Sequence, residues 1–292
     1  MRTFALATEI RAYPGTVMTA VVLIAMVMHA TWNALAKAMS DQVVAFGLIA
    51  VASIASGIVA LTVVPFPSRA SWGFLGASVL IHVGYNTALL NSYRFGDLGQ
   101  TYPLARGVAP VLVAIGAFLG AGELPASRQW VALGVVCLGL VSLAHVGTGT
   151  RSDRRAVLLA LLTGLAISAY TVVDGLGVRR SGDVLGYAAT LFVVENCLML
   201  IGLCAVRKRP LTRGADRTWL LGALAGFLQV GAYAMVLWAQ TRVALVTVSA
   251  LRETSVVVAA IIGTVFLHEG HGRRRILAAA IVACGVILLT VP

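Results

Sequence analysis

Six stretches of about twenty residues contain no Asp, Glu, Lys or Arg, a length that spans a hydrocarbon core as a helix. They are residues 12–36, 42–68, 71–93, 129–150, 218–241 and 276–292. Strands of a membrane barrel are short and alternate in polarity, whereas these runs are long and uniformly apolar. In lipid every backbone N–H and C=O needs a partner within the protein, and a helix supplies it within the segment itself. The runs therefore predict a bundle of membrane-crossing helices.

Four further stretches carry ionisable groups: 98–120 with Arg106, 156–177 with Asp174, 184–206 with Glu195, and 243–267 with Arg252 and Glu253. Each remains apolar enough to span if its charged group turns toward protein or a wet cavity. The expected fold class is all-α, a polytopic membrane protein of ten transmembrane helices, with eight as the floor if two of the four are re-entrant. The first run follows Arg2 and Arg11 and has a signal-peptide alternative. Against that, it is longer than an ordinary signal core, and His29, Trp32, Asn33 and Lys37 stand where a small-residue cleavage site belongs. Cys137, Cys197, Cys204 and Cys284 all fall within apolar stretches and read as packing residues.

A net charge of +11 would suggest nucleic acid for a soluble chain. Here the basic residues gather in connectors: Arg151, Arg154 and Arg155; Arg207, Lys208, Arg209, Arg213 and Arg217; Arg273, Arg274 and Arg275. Such clusters beside spans answer anionic lipid headgroups, so membrane lipids and not nucleic acid are the expected partners. With the N-terminus inside, the inner segments hold seven Lys and Arg and the outer ones thirteen. The charge bias by itself thus puts both termini outside.

The chain also repeats. Trp72-Gly-Phe-Leu-Gly76 has a counterpart in Trp219-Leu-Leu-Gly222, and Gly84 precedes Gly231 by the same interval. After one residue of slippage Arg106 falls on Arg252, Glu123 on Glu269, and Gly139-Leu-Val141 on Gly285-Val-Ile287. The repeat divides the chain into two units, residues 1–147 and 155–292, each of five spans. An odd number of spans inverts the second unit relative to the first, the arrangement by which secondary transporters alternate access to a central site.

Polar side chains within the spans mark where such a site lies. His29, Asn33 and Lys37 are spaced by four and share a helix face beside Trp32, and His82 and Asn86 repeat that spacing on the third span. Lys37 snorkelling to a headgroup and His29 bonding a backbone carbonyl are the plainer readings. Arg106 and Arg252 occupy equivalent places in the two units, where paired guanidinium groups would attract an anionic substrate. A structural ion pair or carbonyl cap is the alternative, and Glu253, next to Arg252, is positioned in sequence to neutralise part of its field. Pro103 and Pro110 each remove a backbone donor from the fourth span and can kink it, leaving carbonyls free for a ligand or a water, while the ninth has Ser249, Thr254 and Ser255 in that region. Gly116 and Gly120 permit close helix approach, inside the bundle or in a dimer, so monomer and homodimer both stay open. Glu123 and Glu269 suggest a helix cap or a pairing with Arg128 and Arg273.

The motif His29-Ala-Thr-Trp-Asn-Ala-Leu-Ala-Lys37 is followed by Tyr85-Asn86, by Gly96-Asp-Leu-Gly-Gln-Thr-Tyr-Pro-Leu-Ala-Arg-Gly-Val-Ala-Pro110, and by Gly122-Glu123. The second half has Ser249-Ala-Leu-Arg-Glu-Thr-Ser255 and His268-Glu269. Together these resemble the drug/metabolite transporter superfamily, in its ten-span EamA-type branch. The resemblance implies two inverted five-helix repeats and a central cavity lined chiefly by helices 1, 3, 4, 6, 8 and 9. It also implies movement of a small polar or anionic metabolite across the cell's inner membrane, often outward. Carried onto this chain, the lining is Trp32, Asn33, Tyr85, Asn86, Tyr102, Arg106, Tyr170, Tyr233, Arg252 and Glu253. The resemblance implies cytoplasmic termini, against the charge count.

Within the spans His29, Asp174, Glu195 and Glu253 are the titratable candidates for proton coupling, Glu253 foremost because it shares a helix with Arg252; a facilitator without a coupling ion is the alternative. No Gly-x-x-x-x-Gly-Lys-Ser/Thr loop is present, so direct use of ATP is not expected, and neither cofactor nor metal is called for. A membrane-embedded enzyme using His29, Lys37 and Arg106 on a lipid-like or anionic substrate would need a nucleophile or metal-ligand pattern that the sequence does not offer. A scaffold or receptor would leave the in-span polar residues without a task. The reading is a transporter and not an enzyme.

Overall fold

The computed structural model describes residues 15–95, 98–144, 154–206, 217–258 and 272–290. Ten α-helices account for nearly all of them: α1 Gly15–Ala38, α2 Gln42–Leu61, α3 Trp72–Phe95, α4 Leu98–Ala121, α5 Ser127–Ala144, α6 Arg154–Val178, α7 Val184–Val206, α8 Arg217–Gln240, α9 Leu245–Arg252 and α10 Gly272–Thr290. A one-turn 3₁₀ helix, Arg69–Ser71, leads into α3. The described residues contain no strand. Among the described residues, five segments are long and apolar enough to cross a membrane: Thr16–Ala36, Gln42–Leu61, Leu161–Val178, Val184–Ala205 and Arg217–Gln240. Arg106–Ala121, Ser127–Ser142 and Ile276–Leu289 are apolar but shorter.

Local chemistry sets the helix ends. Asp41 is extended and its Oδ1 accepts from Val43 N at 2.9 Å and Val44 N at 3.1 Å, capping α2. Asp183 Oδ1 likewise accepts from Gly186 N at 2.6 Å at the start of α7. The end of α4 closes on Gly122 at φ +69°, with Gly122 N donating to Phe118 O and Glu123 N to Ala117 O. That pair of bonds requires a left-handed residue between them, which glycine supplies without strain. It also sends the chain back across the helix end and aims Glu123 at α9.

Polarity is distributed as lipid demands. Leu80, Leu119, Leu138, Ile201, Leu220, Phe227 and Leu277 face outward, while Ser53, Ser78, Thr171, Asp174, Glu195 and Gln240 are buried. Apolar side chains outside and hydrogen-bonded polar ones inside is the pattern of a span whose solvent is hydrocarbon. The main packing partners are α4 with α6, α5 with α10, α1 with α8, α2 with α7 and α8, and α3 with α6. Ser53 Oγ donates to Gln229 Oε1 between α2 and α8 at 3.2 Å, and Asn86 Nδ2 to Glu195 Oε1 between α3 and α7 at 2.7 Å.

Glycines permit the closest approaches. On α4, a Cβ at Gly116 would lie 2.8 Å from Val172 Cγ2 and one at Gly120 3.0 Å from Leu176 Cδ1, so this pair packs α4 against α6 within the bundle. The α5–α10 seam is reciprocal. A Cβ at Gly139 would meet Val282 Cγ2 at 2.7 Å and Ala278 O at 3.1 Å, and one at Gly285 would meet Val136 Cγ2 at 2.7 Å and Ala132 O at 3.1 Å.

The two helices that carry the arginines differ in continuity. The proline-bearing helix, α4, runs unbroken through Pro103 and Pro110. Beside Pro110, Ser168 Oγ of α6 donates to Ala109 O at 3.1 Å and ties the two helices together, while the carbonyl that Pro110 leaves without its helical donor is Arg106 O, four residues back. Its proline-free counterpart is the broken one: α9 ends at Arg252, Glu253 forms a turn, and helix resumes at Thr254. At the break Glu253 N donates to Ala250 O, three residues back, and Thr254 Oγ1 caps Leu251 O at 2.7 Å.

Gly139→Val and Gly285→Val should each lower the melting temperature in detergent by the equivalent of about 1–3 kcal/mol of overpacking. Gly134→Ala, where a Cβ meets nothing within 4 Å, should leave it unchanged.

Candidate substrate site

Helices α1, α3, α4, α6, α7, α8 and α9 bring ionisable and aromatic side chains together in two groups. The first centres on Arg106 of α4. Its Nη1 bonds Glu253 Oε1 at 3.2 Å in an ion pair whose side chains are 4% and 2% exposed. Its Nη2 lies 3.1 Å from His29 Nε2. The opposite nitrogen of that ring, Nδ1, accepts from Trp32 Nε1 at 3.3 Å. Trp and Arg offer only donors, and a neutral imidazole accepts at one nitrogen only, so His29 can satisfy Trp32 or Arg106 but not both. Asn33 Nδ2 donates to His29 O at 2.8 Å, and Trp32 also packs with Ala36, Ile49 and Ala225. Glu253 Oε2 is buried without a hydrogen-bond partner among the described residues, as is Ser255 Oγ.

The second group centres on Arg252 of α9, which is 5% exposed. Nη1 donates to Thr171 Oγ1 at 3.0 Å and Nη2 to Tyr170 Oη at 3.2 Å, both on α6. The guanidinium carbon also lies 5.7 Å from the Tyr170 ring centroid and 5.8 Å from that of Tyr233. Rings continue outward: His82 is stacked at 4.1 Å on Tyr170, Tyr85 meets Tyr170 edge-on at 5.7 Å, and Phe192 meets Tyr233 edge-on at 5.7 Å. His82 is held by Ser78, through Oγ at 3.0 Å and the backbone carbonyl at 3.1 Å. Asp174 is buried and receives two phenol hydroxyls, Tyr187 on Oδ1 at 3.0 Å and Tyr233 on Oδ2.

Arg106 and Arg252 therefore sit in different electrostatic settings, though they share a repeat position. Arg106 is neutralised by a carboxylate, whereas Arg252 meets only neutral oxygens and ring faces. The acid adjacent to Arg252 in sequence thus pairs with the other arginine. Neighbouring residues on a helix point about 100° apart, so Glu253 turns away from Arg252 and toward α4.

Of the residues expected to line the site, Tyr85, Asn86, Arg106, Tyr170, Tyr233, Arg252 and Glu253 join these groups, and Trp32 and Asn33 brace His29 behind Arg106. Tyr102 lies on α4 and Lys37 on α1, and both side chains lie outside the described residues, as does Glu269. Helix α7, absent from the expected lining, contributes Tyr187, Phe192 and Glu195. Thr171 also stands outside the expected set. Tyr170 and Asp174 are spaced by four, which marks the inward face of α6, but nothing in the sequence points to Tyr187.

Glu123 neither caps α5 nor pairs with Arg128. At the end of the bundle formed by the α4–α5, α6–α7 and α8–α9 turns, its Oε1 bonds Arg179 Nη1 at 2.6 Å and its Oε2 accepts from Leu245 N at 2.7 Å, the first residue of α9. Arg179 also donates to Gln240 O at 2.8 Å and Val243 O at 3.0 Å. One carboxylate and one guanidinium thus bind three turns together.

Arg106→Gln and Glu253→Gln should each destabilise by about 3–5 kcal/mol, because either leaves a buried charge without its partner. The double variant should recover part of that loss in a melting-temperature cycle. Glu123→Ala should speed amide hydrogen exchange at Leu245 and in the first turn of α9, leaving the amides of α2 protected.

Comparison with known proteins places this site in context. The model of the EamA-like transporter family matches residues 154–291. No curated protein matches the chain. A solved structure described only as "Crystal structure of protein" aligns with 94% of this chain and 95% of its own, at a TM-score of 0.69 and 15% sequence identity, a likeness of fold. The all-helical bundle and its outward apolar surface agree with that match: this is a multi-pass membrane protein whose residues 154–291 match the EamA-like transporter family.

Proposed function

We propose that this transporter moves a small polar or anionic metabolite across the cytoplasmic membrane by alternating access, in the outward direction and without covalent chemistry. The observation that carries the reading is the buried charged cluster that α4 and α9 share. Arg106, Arg252 and Glu253 are all enclosed in the interior of the bundle, and ionisable groups held there within membrane spans mark a solute pathway.

Two five-helix units of opposite orientation suit this mechanism. Three features support the arrangement: the sequence repeat that superposes Arg106 on Arg252, the reciprocal contacts of Gly139 and Gly285, and the polar crosslinks α2–α8 and α3–α7, which exchange with one another when the units are exchanged. Contacts that can be swapped in this way allow two states of similar energy, one open to each side. The Glu123–Arg179 contact closes one end in the present state, and opening that end requires it to part. With termini in the cytoplasm, the closed end faces the cytoplasm.

The partners are the transported solute and membrane lipids. Glu253 is the coupling group we favour if protons drive the cycle, since one of its oxygens holds Arg106 and the other has no partner among the described residues.

Counterflow in sealed proteoliposomes loaded with a metabolite panel tests the reading. Exchange that depends on the protein and stops when vesicles are permeabilised is the expected result. Product formation by the protein in detergent, with no vesicle requirement, would overturn it.

A further inference from the structure

The two buried arginines are not equivalent as ligands. Burying a charge is costly unless it is paired, and a buried guanidinium whose acceptors are all neutral is under-compensated. Arg106 has its carboxylate in Glu253. Arg252 has none within ion-pairing distance among the described residues: its acceptors are Thr171 Oγ1 and Tyr170 Oη, and the two oxygens of Asp174 are engaged by Tyr187 and Tyr233. A guanidinium carries five N–H donors, and Arg252 has one hydrogen bond on each terminal nitrogen, so a second N–H remains on each. A carboxylate takes two such donors at once, which makes it the anion that best fits a guanidinium fork.

The surroundings specify what the carboxylate is attached to. Tyr170 and Tyr233 flank the guanidinium, His82 stacks on Tyr170, and Tyr85 and Phe192 add edge contacts. Aromatic rings attract one another edge-to-face or in offset stacks, so a flat unsaturated body entering this network replaces one edge contact with its own. A single uncompensated cation balances a single negative charge. A second charge on the ligand would have to draw on Arg106, at the expense of the Arg106–Glu253 pair.

From these three features we infer that Arg252 is the substrate-anion residue and that the site selects aromatic monocarboxylates over dianions and over saturated carboxylates of the same size. Arg106 and Glu253 are positioning residues that hold the α9 break against α4. The inference deepens the transport reading and rests on it for every step after binding, but the binding itself is measurable without a membrane potential or a sealed compartment.

Phenylacetate, cyclohexylacetate, succinate and inorganic phosphate serve as probes, each scored by thermal stabilisation of the purified full chain and by competition in counterflow. A ligand bound by the folded state alone raises the melting temperature in proportion to its affinity. Phenylacetate should stabilise the protein, cyclohexylacetate should bind about three- to tenfold more weakly for want of ring contacts, and succinate and phosphate should bind more weakly still. Arg252→Gln should weaken phenylacetate binding about tenfold or more. Arg252→Lys, which keeps the charge and loses the fork, should retain only part of the binding.

The wild-type ranking needs no variant to fold, so the inference stays open to refutation if Arg252→Gln fails to express. Succinate or phosphate binding as tightly as phenylacetate, equal binding of the saturated acid, or no stabilisation by any probe would each overturn it. Flux of other metabolites in sealed vesicles without phenylacetate binding would refute this site and leave transport standing. Phenylacetate binding that Arg252→Gln removes, with no flux of any solute, would do the reverse.

Discussion

A guanidinium in the interior of a lipid-embedded bundle has nowhere to turn but to protein, and the centre of this molecule is organised by that requirement. Arg106 and Arg252 are 4% and 5% exposed, so neighbouring helices must bring them oxygen or aromatic faces. The solutions differ. Around Arg106 the protein supplies a full negative charge and a histidine; around Arg252 it supplies a hydroxyl, a phenol and two ring faces. The break in α9, the inward face of α6 and the cluster of rings on α3, α7 and α8 are all ordered about these two cations.

The helix that lacks proline is the one with a turn in it. Proline deletes one N–H from the helical ladder, and α4 continues through both of its prolines. At Glu253 consecutive residues serve different partners, as neighbours on a helix do: Arg252 turns toward α6 and Glu253 toward α4.

Much of this was legible in the sequence, because hydrocarbon imposes a simple rule on composition. Long runs without charge marked the helices, and the few ionisable residues inside them marked the interior: Arg106, Asp174, Glu195, Arg252 and Glu253 all turn inward. The internal sequence repeat aligns Arg106 with Arg252. Partner choice was not legible. Adjacency suggested that Glu253 neutralises Arg252, and only the direction of each side chain around the helix shows that it serves Arg106. The proposed partners of Glu123 were close in sequence, whereas Arg179 and Leu245 come from turns remote along the chain and brought near by packing. Tyr187 carried no signal, since an apolar helix accommodates an aromatic residue on any face.

The Glu123–Arg179 contact differs from the central ion pair in one further respect: its side chains are 20% and 28% exposed. Mobile ions of the adjoining solution reach it, whereas they do not reach Arg106, Arg252 or Glu253. Screening over a distance of about 8 Å at physiological ionic strength therefore weakens the peripheral contact while sparing the central one. The salt content of the adjoining solution becomes a lever on one end of the molecule, loosening the tie between its three turns without altering the central ion pair.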